Sequence, residues 1–159
     1  MARKKTAEGV SAYDTALGYL TPKARTVREV ELKLDEGNYS EGEIMQTVDR
    51  LKEAGLLDDE RYARDFVESR LNTKPVSRFR LEEQLKGHHV PADIIDSVLG
   101  GLESGLELEN AVAVAVKYLR QFERIEDEQE KLRRVYMRLK TRGYSHDTIM
   151  EALSEATER

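Results

Sequence analysis

Cysteine and tryptophan are absent from this chain, and no run of apolar residues approaches the length of a membrane-spanning helix. Each absence excludes something. Without cysteine there are no disulfide staples and no thiolate metal sites, so stability must come from burial, which fits a reducing compartment. A transmembrane helix needs about 20 predominantly apolar residues, and the most apolar stretch, Ala111 to Leu119, is too short and carries Lys117. The charged start Met1-Ala-Arg-Lys-Lys5 is followed by no apolar segment of signal-peptide length before Tyr13, so secretion is not expected and the cytoplasm is. Proline and phenylalanine are scarce and 36% of residues are charged, a balance that suits exposed helical surfaces better than a sandwich or barrel. The net charge of -5 argues against a nucleic-acid binder that works through a global excess of Lys and Arg, so local patches must be weighed instead.

What is present is a pattern written three times. Val30-Glu-Leu-Lys-Leu34-Asp-Glu-Gly-Asn-Tyr39-Ser40 answers to Leu81-Glu-Glu-Gln-Leu85-Lys-Gly-His-His-Val90-Pro91, and both answer to Val135-Tyr-Met-Arg-Leu139-Lys-Thr-Arg-Gly-Tyr144-Ser145. The register continues without gaps through Ile44, Ile95 and Ile149 and then Val48, Leu99 and Leu153. It covers two helices and the turn between them, at a period of roughly 50 residues that suits helical repeats. Gly37, Gly87 and Gly143 are expected to close the first of these helices in a left-handed conformation. Ser40 and Ser145 are expected N-caps, with Glu43 completing a capping box on Ser40, and Pro91 suits a helix start. Tyr39, Val90 and Tyr144 precede the caps, and with Ile44, Ile95 and Ile149 they occupy the two positions of a hydrophobic staple.

Another helical stretch precedes each pair. The first offers Tyr13, Leu17 and Leu20 before Thr21-Pro22; the second, with Asp58 and Asp59 as N-cap and first-turn candidates, offers Tyr62, Phe66 and Leu71. The third offers Ala111, Val112, Ala115, Val116, Leu119 and Phe122. The expected fold is therefore all-α: three tandem three-helix repeats at residues 11–56, 57–104 and 105–159, forming an elongated, curved array of units that each touch their neighbours. Residues 1–10 are expected to be a basic, disordered tail, and Gly100-Gly-Leu-Glu-Ser-Gly105 a hinge.

A search for chemistry yields little. His88-His89 in a turn and His146 in a first helical turn read better as solvated histidines than as metal ligands, since adjacent histidines point apart. Asp58-Asp59-Glu60 reads as helix capping rather than paired catalytic carboxylates. No Walker A, dinucleotide or nucleophile-elbow motif is present. No catalytic residue, metal or cofactor is implied, and the chain is not expected to be an enzyme.

Two basic stretches remain. Arg70 to Arg80 carries Arg70, Lys74, Arg78 and Arg80 with no acid, and Phe79 stands among them. Lys131 to Arg142 carries Lys131, Arg134, Arg138 and Arg142 at helical steps, with Leu132, Val135 and Leu139 on the opposing apolar face. Each is a patch for phosphates or for an acidic protein surface, against the plain alternative of a solvated face with salt bridges. If six cations met phosphates, log affinity would fall with log salt at a slope of roughly -4 to -5. Tyr39 and Tyr144 could stack on bases, but their staple positions favour packing.

The run from Leu51 to Arg70, above all Gly55-Leu-Leu-Asp-Asp-Glu-Arg-Tyr-Ala63 and Phe66 to Arg70, followed by Arg80-Leu-Glu-Glu-Gln-Leu-Lys-Gly87, resembles the central signature of the RecX family. Arg142-Gly-Tyr-Ser145 leading into Ile149 is similar to its third unit, and the resemblance covers roughly Tyr13 to Ala156. It implies a cytoplasmic bacterial protein that binds the RecA recombinase and its filament on single-stranded DNA, lodging in the filament groove; the chain itself is expected to be a monomer. Recombination, RecA ATPase activity and RecA-assisted repressor cleavage would be damped, which places the chain in DNA repair and the SOS response. The partner-binding candidates are then Arg64, Arg70, Lys74, Arg78, Arg80, Lys86, Lys131, Arg134, Arg138 and Arg142. The chain departs from the family pattern in its acidic balance and in Asn72-Thr-Lys-Pro-Val-Ser77, where a Gly-rich turn is common; the first makes direct DNA contact secondary to contact with RecA. A direct DNA-binding module and an unrelated helical adaptor are the alternatives.

Overall fold

A computed structural model of the chain describes residues 9–158; the expected basic tail falls, up to residue 8, outside the described residues. Among the described residues there are nine helices and no strand. They are α1 (Ala12–Leu20), α2 (Val27–Glu36), α3 (Glu41–Glu53), α4 (Asp59–Thr73), α5 (Arg78–Gly87), α6 (Ala92–Gly100), α7 (Leu106–Gln121), α8 (Glu128–Thr141) and α9 (His146–Thr157). They fall in threes, as the repeat predicts. The chain divides into two compact units, Met1–Asp65 with Leu85–Ile95 and Phe66–Gln84 with Asp96–Arg159, so each helix of the middle repeat contributes residues to both.

The repeated turn is built the same way each time. Leu34, Leu85 and Leu139 have no exposed surface. The N–H five residues on returns to each leucine's carbonyl, from Tyr39 at 3.3 Å, Val90 at 3.1 Å and Tyr144 at 3.4 Å, in the pattern that closes a helix C-terminus. Between leucine and aromatic or valine stands one left-handed residue: Asn38 (φ 61°), His89 (φ 63°) and Gly143 (φ 90°). The expectation that Gly37 and Gly87 fill this place is corrected: Gly37 has φ -78° and Gly87 is the last residue of α5. Asn and His are among the few side chains that accept a left-handed backbone, so two of the turns do without glycine. The third cannot, because a Cβ on Gly143 would fall 2.5 Å from Ser77 Oγ.

The caps stand largely where the sequence puts them. Ser40 and Ser145 accept from the N–H groups of Glu43 and Thr148, each at 3.2 Å. The expected box at Ser40 is incomplete, since the Glu43 carboxylate receives the Ser40 hydroxyl instead of its backbone N–H. The complete box lies one helix earlier: Thr26 Oγ1 accepts from Glu29 N at 3.2 Å and Thr26 N donates to Glu29 Oε1 at 3.0 Å. Asp58 caps α4 as expected, accepting from Arg61 N at 3.1 Å. Asp59 stands in the first turn of α4, as expected, and its carboxylate also serves α2, as described below.

In the first unit, Ala12, Ala16, Val30, Leu34, Tyr39, Val48, Leu51 and Leu57 form one buried cluster. In the second, Ala111, Val112, Val114 and Ala115 of α7 pack with Val135 and Leu139 of α8 and with Ile149, Ala152, Leu153 and Ala156 of α9. The first helix of a repeat thus faces its core with small residues, Ala12 and Ala16 in α1 and Ala111 and Ala115 in α7, and Ala63 of α4 is fully buried as well. Small side chains let helix axes approach closely. The larger Tyr62, Phe66 and Leu71, read from the sequence as the packing face of α4, are half-buried at its margins.

Candidate partner-binding surface

Two polar joints stand at matching repeat positions, and the second of them fixes two of the candidate cations, Arg80 and Arg142. In the first unit Thr26 is fully buried, and its hydroxyl donates to the His88 carbonyl at 2.7 Å. Val27 N, one of the free amides of the first turn of α2, donates to Asp59 Oδ1 at 2.9 Å. Glu29 Oε2 lies 3.4 Å from His88 Nδ1. Burial raises the Glu29 pKa, but the Thr26 amide and then His88 outweigh it, so its carboxyl sits below the ordinary value. Asp59 goes the other way: burial raises it, and the Val27 amide only partly offsets this. His88 is therefore a buttress of this joint, not a solvated turn residue.

In the second unit the equivalent positions are Ser77 and Arg142. Ser77 is 1% exposed and its N–H donates to the Arg142 carbonyl at 3.0 Å. Arg142 Nη1 donates to the Pro75 carbonyl at 2.9 Å and Nη2 to the Tyr118 hydroxyl at 3.2 Å. Arg80 N–H caps onto Ser77 Oγ at 3.0 Å, while its guanidinium reaches the Thr141 carbonyl at 3.3 Å and Glu83 at 3.4 Å. The Asn72–Ser77 segment, ahead of α5, is thereby pinned by the turn that follows α8.

The ten candidates fare differently. Arg142, only 7% exposed, is removed from the expected solvent face; its position at the close of α8 turns it inward onto Pro75 and Tyr118. Arg80 is half-buried in the same joint. Arg64 pairs with Glu60 across one helical turn, Lys131 with Glu128 at 2.8 Å, and Arg134 with Glu130 at 3.0 Å. Glu130 also binds Arg133, and hydrogen bonds from Arg133 and then Arg134 hold its carboxyl down at about 2. Arg70 lies with its guanidinium 5.1 Å from the centre of the Phe66 ring, and Lys86 is exposed in the last turn of α5. Lys74, Arg78 and Arg138 are exposed, and Phe79, at 62%, is among the most exposed apolar side chains described. Tyr39 and Tyr144 are buried at 9% and 3%, as their staple positions predict.

Sequence reading passed over Tyr118 and Lys117. Tyr118 accepts a hydrogen bond from Arg142, which chiefly holds its phenol below the ordinary value. The spacing of Tyr118 and Phe122 on α7 and of Arg138 and Arg142 on α8 was visible, but nothing in it said that these faces meet. His146 Nδ1 lies 2.9 Å from the Tyr136 hydroxyl. Among the described residues no three His, Asp or Glu side chains gather as metal ligands, and no helix is long and apolar enough to cross a membrane.

Three recurrent three-helix units joined by capped, buried polar contacts define a helical-repeat protein. Family models match each of them: the first three-helix domain of RecX at residues 12–51, the second at 58–99 and the third at 106–153. The chain belongs to the RecX family. It is 34% identical over 137 residues to the regulatory protein RecX of Mycobacterium ulcerans, covering 86% of this chain and 79% of that one. Against the regulatory protein RecX of Prosthecochloris aestuarii it is 29% identical over 144 residues, covering 91% and 92%. The crystal structure of RecX from Lactobacillus salivarius superposes with a TM-score of 0.78 at 26% identity, covering 93% of this chain and 96% of that one.

Proposed function

We propose that this chain is a cytoplasmic regulator that binds RecA and its filament on single-stranded DNA and lowers recombinase, ATPase and co-protease activity. The observation that carries this reading is the match of all three repeats, in order, to the three domains of a family whose relatives are named regulatory proteins. Lys74 and Arg78 are the cations of the Arg70–Arg80 stretch best placed to meet a partner, being exposed on a segment whose backbone is pinned by Arg142. Sedimentation of RecA filaments assembled on single-stranded DNA tests this. At micromolar concentration the chain should pellet with the filament, and Arg70→Glu, Lys74→Glu, Arg78→Glu together should weaken that association with helicity intact. Arg80 is left in place because it holds Thr141. Absence of the wild-type chain from the pellet overturns the reading; undiminished pelleting of the variant places the contact elsewhere.

One observation favours a second reading, direct contact with DNA: Phe79, exposed between Arg78 and Arg80, offers a ring on which a base can stack. Binding to naked single-stranded DNA that is lost on Phe79→Ala would support it.

A further inference from the structure

The third repeat carries a cationic cluster built around Tyr118. The rings of Tyr118 and Phe122 stack at the end of α7 with centroids 6.0 Å apart. Three cations crowd Tyr118: Arg138 Cζ at 5.6 Å from its centroid, Arg142 Cζ at 5.7 Å and Lys117 Nζ at 5.8 Å. Arg138 also lies 5.9 Å from the centre of Phe122. Arg142 holds both the Tyr118 hydroxyl and the Pro75 carbonyl, which fixes the tyrosine against the segment ahead of α5. Lys117 and Arg138 are exposed, and among the described residues neither has a carboxylate at ion-pairing distance. The fold tolerates the accumulation because α7 and α8 both end there, and helix C-termini favour positive charge. Earlier along α8, by contrast, Arg133 and Arg134 are paired locally on Glu130.

We infer that Lys117 and Arg138, arranged around Tyr118, form a receptor for the carboxylates of an acidic segment on a protein partner. The cluster selects this ligand over single-stranded nucleic acid for two reasons. Bases bind such sites by stacking on open rings, and Tyr118 already carries cations on its ring. Nucleic-acid affinity also grows with the number of phosphates met along a strand, whereas this cluster is compact and belongs to a chain of net charge -5. A guanidinium laid against aromatic rings keeps its orientation and presents its fork to a carboxylate. Arg142 is a positioning residue here: barely exposed, it holds Tyr118 and the segment ahead of α5 together. This inference goes beyond the RecA reading, since it does not depend on which protein supplies the segment.

Fluorescence anisotropy of the full chain tests it, with fluorescein-labelled oligoglutamate as the probe and oligothymidylate of equal charge as competitor. Oligoglutamate should bind, and Lys117→Gln with Arg138→Gln should weaken it by roughly tenfold or more, as expected for loss of charged hydrogen bonds. Arg138→Lys, which keeps the charge and loses the fork, should fall between the two. Far-ultraviolet circular dichroism should be unchanged in all three proteins, and Lys117→Gln alone should still pellet with RecA filaments if the reading above holds. Oligothymidylate that binds more tightly than oligoglutamate, or oligoglutamate binding unchanged in the double variant, overturns the proposal.

Discussion

The Thr26 hydroxyl gives its proton to the His88 carbonyl across 2.7 Å, and Thr26 has no exposed surface. One side chain thus does two jobs: it caps α2 through Glu29 N and ties the first repeat to the turn of the second. Thr26→Val keeps the volume and removes both. It should cost about 2–3 kcal/mol, the sum of a lost cap and an orphaned buried carbonyl. Urea unfolding measures this, and a loss under about 0.5 kcal/mol, the range of an ordinary surface change, would show that the joint carries no stability.

Tyr39 and Tyr144 hold the same place in their repeats but not the same hydrogen bonds. The Tyr39 hydroxyl meets Thr15 Oγ1 and donates to the Val10 carbonyl, each at 2.8 Å, whereas the buried Tyr144 hydroxyl has no partner. When Ala12 and Ala16 are aligned with Ala111 and Ala115, the residue matching Thr15 is Val114, which supplies none. Tyr39→Phe should therefore destabilise by about 1–2 kcal/mol. Tyr144→Phe should be neutral or stabilising, because it removes an unpaired polar group from the core. Equal losses in the two variants would contradict this.

The left-handed turn residue separates the repeats in a similar way. Gly143→Ala meets both a φ of 90° and the Ser77 hydroxyl, and should destabilise by more than about 1 kcal/mol. Asn38→Gly, at φ 61°, should change stability little. Thermal unfolding of the two variants reads the contrast, and a Gly143→Ala protein as stable as wild type would refute it.

The carboxyl of Glu29 titrates below its ordinary value of 4.5 in the folded chain. A folded value below the unfolded one adds stability that is present above the unfolded value and lost as pH falls through the folded one. Glu29→Gln should accordingly be less stable than wild type near neutral pH, and the gap should close as pH drops below 4.5. A gap that stays constant across that range would mean that the carboxylate's charge does not stabilise the joint.

The repeat, its period and its helix starts were legible because caps and staples are local: Ser40, Ser145, Tyr39 and Tyr144 announce themselves within a few residues. The turn was misread at Gly37 and Gly87 because glycine is the usual left-handed residue, and Asn38 and His89 take that role without one. What the sequence concealed are contacts between segments far apart in the chain. Asp59 looked only like a first-turn acid of its own helix, and it also receives the Val27 amide. Arg142 looked like the end of an exposed basic stripe and is buried against Pro75 and Tyr118. The candidate surface was thus readable as a list of cations, but which of them remain available depends on packing that no periodicity encodes.

The central claim is regulation of RecA, and its most direct test is the steady-state ATP hydrolysis of RecA on single-stranded DNA as the purified chain is titrated in. The hydrolysis rate should fall with added chain and level off once the filament is occupied. A rate that stays flat through micromolar additions, with no chain bound to the filament, would contradict the claim.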